Sequence, residues 1–223
     1  SEARRSALGQ RVTIVAMPPL RVVALHEAGH AVVGEVGEVQ CTSLTITPDR
    51  QEGTEGCVEW SGLPEIVDMQ MLGSTFVPGD SEWDELKSFV DARIKSSLAG
   101  ALTEQRITGH FNWEGARHDF NQIGQLISCV YGYEGPDYDE ALCPVMLRDP
   151  QMGVELEDWS QVALHARELW DDEVEAILDE HWDWVEAVAY LAMWKKTITG
   201  DQIRAARPSA KTTMTLTEVR EAK

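Results

Sequence analysis

The segment LHEAGHAVVG, residues 25–34, contains two histidines and a glutamate in the spacing H-E-x-x-H. On a helix, His26 and His30 leave the same face about one turn apart, so two imidazole nitrogens can reach one metal ion. Glu27 lies beside them and can take a proton from a zinc-activated water and pass it to the leaving amine. The pattern therefore predicts a peptide-hydrolysing zinc site with one Zn²⁺ per chain, in which Glu27 is the general base.

The third protein ligand of such a site is not given by the motif. A catalytic zinc ion needs three protein ligands and one open position. The metzincin pattern would place a glycine and a histidine at the two positions that are occupied here by Val33 and Val36, which excludes that class. Carboxylates are abundant in the chain, so composition leaves the third ligand undecided.

Composition limits the partners and the compartment. With 19 Lys and Arg against 38 Asp and Glu, the formal charge is −19. Such a surface repels polyanions, which argues against nucleic acid and anionic membranes as partners. No apolar run is long enough to span a bilayer, which favours a cytoplasmic protein, although a membrane-anchored parent stays open. The four cysteines are widely spaced, which favours buried thiols in a reducing compartment.

The elements that position the motif are predicted to be mostly helical. The fold class expected is α+β, predominantly helical, with a small sheet or hairpin near the zinc helix and a C-terminal helical bundle. Sequence patterns predict helices over 20–36, 82–108 and 118–130, one or two helices over 160–195, and a turn into a last short helix within 197–206. Strands over 42–48 and 56–62 are predicted to form a hairpin, and 131–158 to be irregular. Residues 1–208 are predicted to form a single domain, followed by a disordered polar tail, 209–223.

Longer stretches of the chain resemble the peptidase domain of the FtsH family, the ATP-dependent AAA zinc metalloproteases. The segment ALHEAGHAVVG is similar to the family's zinc motif, and TSLTITPDRQEGTEGCVEW to the strand pair that follows it. LAGALTEQRITG resembles a helix of small residues that ends in a glycine, and GARHDFNQIGQL resembles the family's GASNDL stretch. With the closing helices, the resemblance covers about residues 20–206.

This resemblance implies the rest of the zinc site. Asp119 matches the family's aspartate ligand and would complete the site with His26 and His30. From the residues alone, capping of a helix start is the favoured role of Asp119, and the neighbouring His118 is an alternative ligand. Glu104, a second matched carboxylate, would either accept a hydrogen bond from a ligand histidine or be a surface acid.

The first strand of the hairpin is a candidate substrate site. Zinc peptidases commonly hold an extended peptide as an added strand, because main-chain hydrogen bonds work for any sequence. Residues Leu44, Thr45, Ile46 and Thr47 are therefore predicted to form an edge strand that binds substrate. The alternative is an ordinary hairpin.

The chain also departs from the family it resembles. The family carries an ATPase module and usually membrane helices, whereas this chain has no G-x-x-x-x-G-K-[ST] phosphate-binding loop and no spanning segment. Without a motor, the expected substrate is a flexible or unfolded polypeptide, or one delivered by a separate ATPase or other partner. A homo-oligomer is a further expectation, because the family is hexameric.

A reading from another class of protein stays open. The chain could be a non-catalytic, zinc-binding, peptidase-like module that binds a protein partner. Four tryptophans, Trp170, Trp182, Trp184 and Trp194, crowd the C-terminal helices, and tryptophan is enriched at interfaces. Burial in the core is the other explanation of these side chains. Substitution of Glu27 by Gln separates the two readings, because only an enzyme would lose turnover.

Overall fold

The computed structural model describes residues 20–49, 54–61, 81–130 and 159–209. In chain order, its elements are α1 (Leu20–Val36), β1 (Cys41–Thr45), β2 (Cys57–Trp60), α2 (Ser81–Thr108), α3 (Arg117–Val130), α4 (Trp159–Lys195), β3 (Thr197–Thr199) and α5 (Gly200–Ala205). The predicted α+β, predominantly helical class is confirmed. No helix within the described ranges has the length and apolarity needed to cross a membrane. The irregular segment predicted at 131–158 and the tail beyond residue 209 lie outside the described residues.

Helix α1 is the central helix and packs against both α2 and α4. It is rich in Ala, Val and Leu around its whole circumference, which is the pattern of a helix buried on all sides. Glu27 and His30 break that pattern, because each is polar and only 7% exposed. Burial of polar groups is costly unless they are bonded, so their presence in this helix points to a function.

Helix α4 consists of two helical segments that meet at His181, where the backbone angles (φ −112°, ψ 17°) are not helical. Two of its tryptophans belong to the core: Trp170 is 6% exposed and Trp184 2%. The Trp184 Nε1–H donates to the Ile203 carbonyl oxygen at 2.8 Å, which fastens α5 onto α4. Trp194, in contrast, is 76% exposed, so the cluster of tryptophans divides between core and surface.

The three strands form an antiparallel sheet in the order β2–β1–β3. The predicted hairpin is confirmed, with Leu44 of β1 opposite Val58 of β2. Leu44 also lies opposite Ile198 of β3, and both side chains are almost fully buried. The short strand β3 was not predicted, and it places β1 in the middle of the sheet.

The prediction of an edge strand at Leu44, Thr45, Ile46 and Thr47 is therefore wrong. Leu44 and Thr45 lie in β1 and are paired on both sides. Ile46 and Thr47 follow the strand, and the Ile46 N–H donates to the carbonyl oxygen of Lys196 at 2.9 Å. An added peptide has no open edge on β1. Within the described residues, β2 is an edge strand of the sheet.

The cysteines with described side chains behave differently. Cys41 is 1% exposed and lies in the central strand, as predicted for a buried thiol. Cys57, at the start of β2, is exposed, so the prediction of burial is wrong for this residue. Cys57 lies opposite Thr45 of β1, whose side chain is also partly exposed, so both belong to a face of the sheet that the core does not fully cover.

Candidate metal centre

Helix α1 brings His26 and His30 together one turn apart. Their Nε2 atoms lie 3.0 Å from each other, and the rings meet edge to face. Asp119, in the first turn of α3, places its Oδ2 atom 3.4 Å from each of these nitrogens. The three donor atoms lie within 4.8 Å of one another, so this group could hold a metal ion.

The outer nitrogens of both rings are occupied by groups on α2. His30 Nδ1 donates to the carbonyl oxygen of Ser96 at 2.7 Å. His26 Nδ1 lies 3.4 Å from the Glu104 carboxylate, whose other oxygen accepts a hydrogen bond from the Asn112 amide at 2.9 Å. Contacts of this kind fix the tautomer of a ligand histidine and turn its second nitrogen toward the metal. Glu104 thus lies in the position of a hydrogen-bond acceptor for His26, if His26 binds a metal.

Gly100 of α2 leaves room for the side chains of His26, His30 and Asp119, which together are called the donor group. A Cβ atom built on this residue would overlap the His30 ring and would lie 2.7 Å from His26 Nε2. Helix α2 therefore passes directly beneath the two imidazoles, at a distance that only glycine allows. The space that a side chain would fill is the space in which the donor atoms converge, and this fits a bound metal ion.

In the donor group, an ionised carboxylate lies beside a histidine whose protonated form it stabilises. Burial raises the pKa of Asp119, but the nearby His30 and His26 outweigh it and hold that pKa well below its usual range. Burial lowers the pKa of His26, but hydrogen bonds to Asp119 and Glu104 overcome this and raise it to about 10. Asp119 is therefore ionised, and a metal cation would take the place of the proton that His26 carries.

Glu27 lies beside the donor group without belonging to it. Burial raises the pKa of its carboxyl, and the charges of His26 and His30 only partly oppose that effect. Its other neighbour is Gly56, just before β2, where a Cβ atom would collide with the Glu27 carboxylate. The carboxylate is thus held between the donor group and the edge of the sheet.

The donor group and Glu27 line one open cleft of about 640 Å³. Its walls come from α1, α2, the start of α3 and the strand β2 with the residues before it. Gly56 and Trp60 mark the two ends of the β2 wall, and Trp60 packs onto α1 so closely that a Cβ atom at Gly34 would overlap its ring. The cleft is large enough to hold a segment of extended peptide beside the donor group.

The sequence-predicted residues fall into two groups. His26, Glu27, His30, Glu104 and Asp119 all line the cleft, whereas Leu44, Thr45, Ile46 and Thr47 do not. Asp119 is the third residue of α3, so it is not the residue that caps this helix. His118 is exposed and contacts Gln122 instead of the donor group.

Other residues of the site were not predicted. Ser96 and Asn112 act through single hydrogen bonds, which leave no mark in a sequence. Gly100 lies in the small-residue stretch SSLAGAL, and that composition is the one signal that could have indicated close helix packing here.

Comparison with known proteins does not assign a family: no family model matches this chain, and no curated protein matches it. The chemistry of the donor group is therefore the basis for assigning a function. Two imidazoles and a carboxylate around an open position suit zinc, and they also suit other first-row divalent metals.

Proposed function

We propose that this chain is a zinc-dependent endopeptidase of the FtsH type, which hydrolyses peptide bonds in flexible or unfolded polypeptides. The observation that carries the proposal is the convergence of His26, His30 and Asp119 on one point of an open cleft, with Glu27 beside them. Three protein ligands, an open position and an adjacent carboxylate are the parts of a hydrolytic zinc site. The resemblance of the zinc motif and of the Asp119 segment to that family supports the same assignment.

Each residue of the site has a separate task. His26, His30 and Asp119 would hold the zinc ion, which when bound makes water more acidic and polarises the scissile carbonyl. Glu27 takes a proton from the attacking water and gives it to the leaving amine. Because burial raises the pKa of Glu27, its carboxylate is a stronger base than an exposed glutamate.

Strand β2 is the part of the cleft that suits a peptide backbone. It pairs with β1 on one side, and within the described part of the chain it forms an edge of the sheet. It runs along the cleft from Gly56, next to Glu27, to Trp60. A substrate strand added there would pair through main-chain hydrogen bonds, which requires an extended segment and so favours flexible or unfolded substrates.

The test is hydrolysis of a labelled, unfolded protein by zinc-loaded material without ATP. Substitution of Glu27 by Gln should reduce turnover by about 10² to 10⁴, the usual effect of removing a general base, while one zinc per chain is retained. Glu114→Gln is the matched control, because Glu114 lines the same cleft away from the donor group, and its turnover should stay near that of the parent. Equal turnover in the parent and Glu27→Gln, or none in the zinc-loaded parent, would overturn the proposal.

A non-catalytic module that uses zinc structurally and binds a protein partner is the second candidate. The observation that favours it is the exposure of two aromatic side chains on α4, Tyr190 at 72% and Trp194 at 76%. Exposed aromatics of this size are typical of protein interfaces. This candidate predicts no turnover in either form, and loss of partner binding when Trp194 is replaced by Ser.

A further inference from the structure

Arg93 is a charged residue of the cleft that the donor group and Glu27 do not use. It lies on α2 one helical turn before Ser96, and its guanidinium carbon lies 4.4 Å from the centre of the Trp60 ring. Both side chains line the cleft. Its Nη1 atom is buried and has no hydrogen-bond partner within the described residues.

Three other arginines in the described part of the chain have acidic partners. Arg106 pairs with Asp179, Arg167 with Asp171, and Arg204 with Glu35 and Asp201. Arg93 has no such pair in the same part of the chain, and burial lowers its pKa to about 10, opposed only by Cys41. A partly buried cation without a counter-charge costs free energy, and a carboxylate that enters the cleft would remove that cost.

The position of Arg93 on α2 gives its distance from the donor group, where the peptide bond would be cleaved. Along the face of α2 that lines the cleft, Gly100 lies under the donor group, and Arg93 is seven residues earlier. At about 1.5 Å per residue, this separates their Cα atoms by roughly 10 Å along the helix axis. Side chains on one side of an extended peptide repeat about every 7 Å, so the guanidinium can reach a group about two or three residues from the cleaved bond.

The cleft around the donor group is rich in carboxylates, and the other arginine that lines it, Arg117, is exposed at the start of α3. Glu27, Glu55 and Glu104 line the cleft, and the pKa of Glu55 is raised by burial and by the neighbouring Glu104. An acidic group on a bound peptide is therefore unfavourable near these residues and favourable near Arg93. The charge pattern would fix where along the peptide the acidic group sits.

We propose that Arg93, held against Trp60, is a specificity-determining residue that binds a carboxylate of the peptide substrate. The carboxylate is either an Asp or Glu side chain or the C-terminal carboxylate, and the planar guanidinium can bind either one through two hydrogen bonds. This inference rests on the proposed function for the cleavage that follows, whereas the binding step can be measured without cleavage.

The experiment measures binding of labelled decapeptides to zinc-loaded Glu27→Gln protein by fluorescence anisotropy. One series carries a single Glu at each position in turn, a matched series carries Gln, and each is made with a free or an amidated C-terminus. We expect one Glu position, or the free C-terminus, to bind about tenfold or more tightly than its neutral counterpart, as for a hydrogen-bonded ion pair. Tighter binding of the Gln-series peptides with a free C-terminus than of their amides would identify the C-terminal carboxylate as the source.

Variants of Arg93 are compared in the same Glu27→Gln background. Arg93→Met keeps an apolar stem against Trp60 and should abolish the preference while binding the neutral peptides as before. Arg93→Lys keeps the charge without the planar fork and should retain only part of the preference. The matched control is Arg106→Met, because Arg106 also lies on α2 and stacks on a tryptophan, Trp182 at 4.6 Å, but outside the cleft. Its preference should equal that of the parent.

Each outcome decides the inference. It is overturned if no peptide binds at millimolar concentration, if neutral and acidic peptides bind equally, or if the preference survives in Arg93→Met. If Arg93→Met does not fold, full retention of the preference in Arg93→Lys overturns the bidentate contact. A carboxylate preference in a protein that hydrolyses nothing would refute the proposed function and leave this inference standing. Hydrolysis without a carboxylate preference would refute this inference and leave the proposed function standing.

Discussion

At the scale of single residues, the donor group depends on hydrogen bonds that lie behind it. Glu104 faces His26 Nδ1 with one carboxylate oxygen and accepts from Asn112 with the other. Both contacts need an acceptor, and only a carboxylate offers two equivalent ones. The orientation of His26 is therefore set by a residue that would never touch the metal.

Replacing Glu104 by Gln should weaken metal binding about 10- to 100-fold, because one of its two contacts then faces an NH₂ group. The measurement is competition for zinc with a chelator of known affinity. Glu114→Gln, at a cleft position away from the donor group, should bind zinc as the parent does. Equal affinity of the two variants would show that Glu104 is only a surface acid.

A second residue-scale prediction concerns the thiols. Burial, and to a smaller extent Glu35, raises the pKa of Cys41 to about 12. Alkylation requires the thiolate, so labelling of Cys41 should rise about tenfold per pH unit and stay slow at pH 8, whereas exposed Cys57 should react there readily. Iodoacetamide labelling between pH 7 and 9, read residue by residue by mass spectrometry, checks this. Labelling of Cys41 as fast as Cys57 would contradict it.

The sequence pointed to the residues that meet in the cleft more directly than to the residues that support them. His26, Glu27 and His30 are fixed by spacing on one helix, and Asp119 was found only through a resemblance. Arg93 could not have been found, because a single arginine in a helix carries no pattern. Arg93 is notable because it has no acidic partner within the described residues, and only the three-dimensional structure shows this.

At the scale of elements, the approach of α2 to α1 decides whether the donor group can form. In an exposed helix interior, Gly→Ala stabilises by about 1 kcal/mol, because alanine has the higher helix propensity. At Gly100 the added methyl group would overlap both imidazoles. Local propensity and tertiary packing therefore oppose each other at this residue.

The Gly100→Ala variant should retain its helical content, and its zinc affinity should fall by more than about 10-fold. Displacing the histidines that would bind the metal should cost at least as much affinity as removing a residue that only orients them. Circular dichroism reports the helix, and calorimetric titration with zinc reports the site. Unchanged zinc affinity would mean that α2 can move away from the histidines at little cost.

The elements themselves were largely predictable, and the exception has a physical cause. The helices α1 to α4 are long and carry clear apolar patterns, and the hairpin is local in sequence. Strand β3 is three residues long, and its partner β1 lies far earlier in the chain, so no local signal announces the pairing. That one missing strand explains the wrong edge assignment for Leu44–Thr47.

At the scale of the whole molecule, a bound metal would connect distant parts of the chain. His26 and His30 come from α1, and Asp119 from α3. A ligand that binds only the folded chain stabilises it by about 2.7 kcal/mol at one hundred times its Kd. The metal would therefore act on stability as well as on chemistry.

Removal of zinc by a chelator should lower the melting temperature by several degrees, as this free energy implies for a chain of this size. Calorimetric scans of zinc-loaded and chelator-treated protein give the shift. Asp119→Ala is the control, and its melting temperature should respond far less to zinc. A parent whose melting temperature ignores zinc would argue that the group in the cleft does not bind it.

The late position of β3 also bears on how the protein is made. Thr45 contacts Thr197 across 152 positions of sequence, and β1 keeps one edge unpaired until that segment has left the ribosome. The sheet is completed only after α1, Asp119 and the whole of α4 have been translated. All residues that line the cleft lie between Val22 and Gln122. A nascent chain would thus contain the whole lining of the cleft before β3, which completes the sheet, has been made.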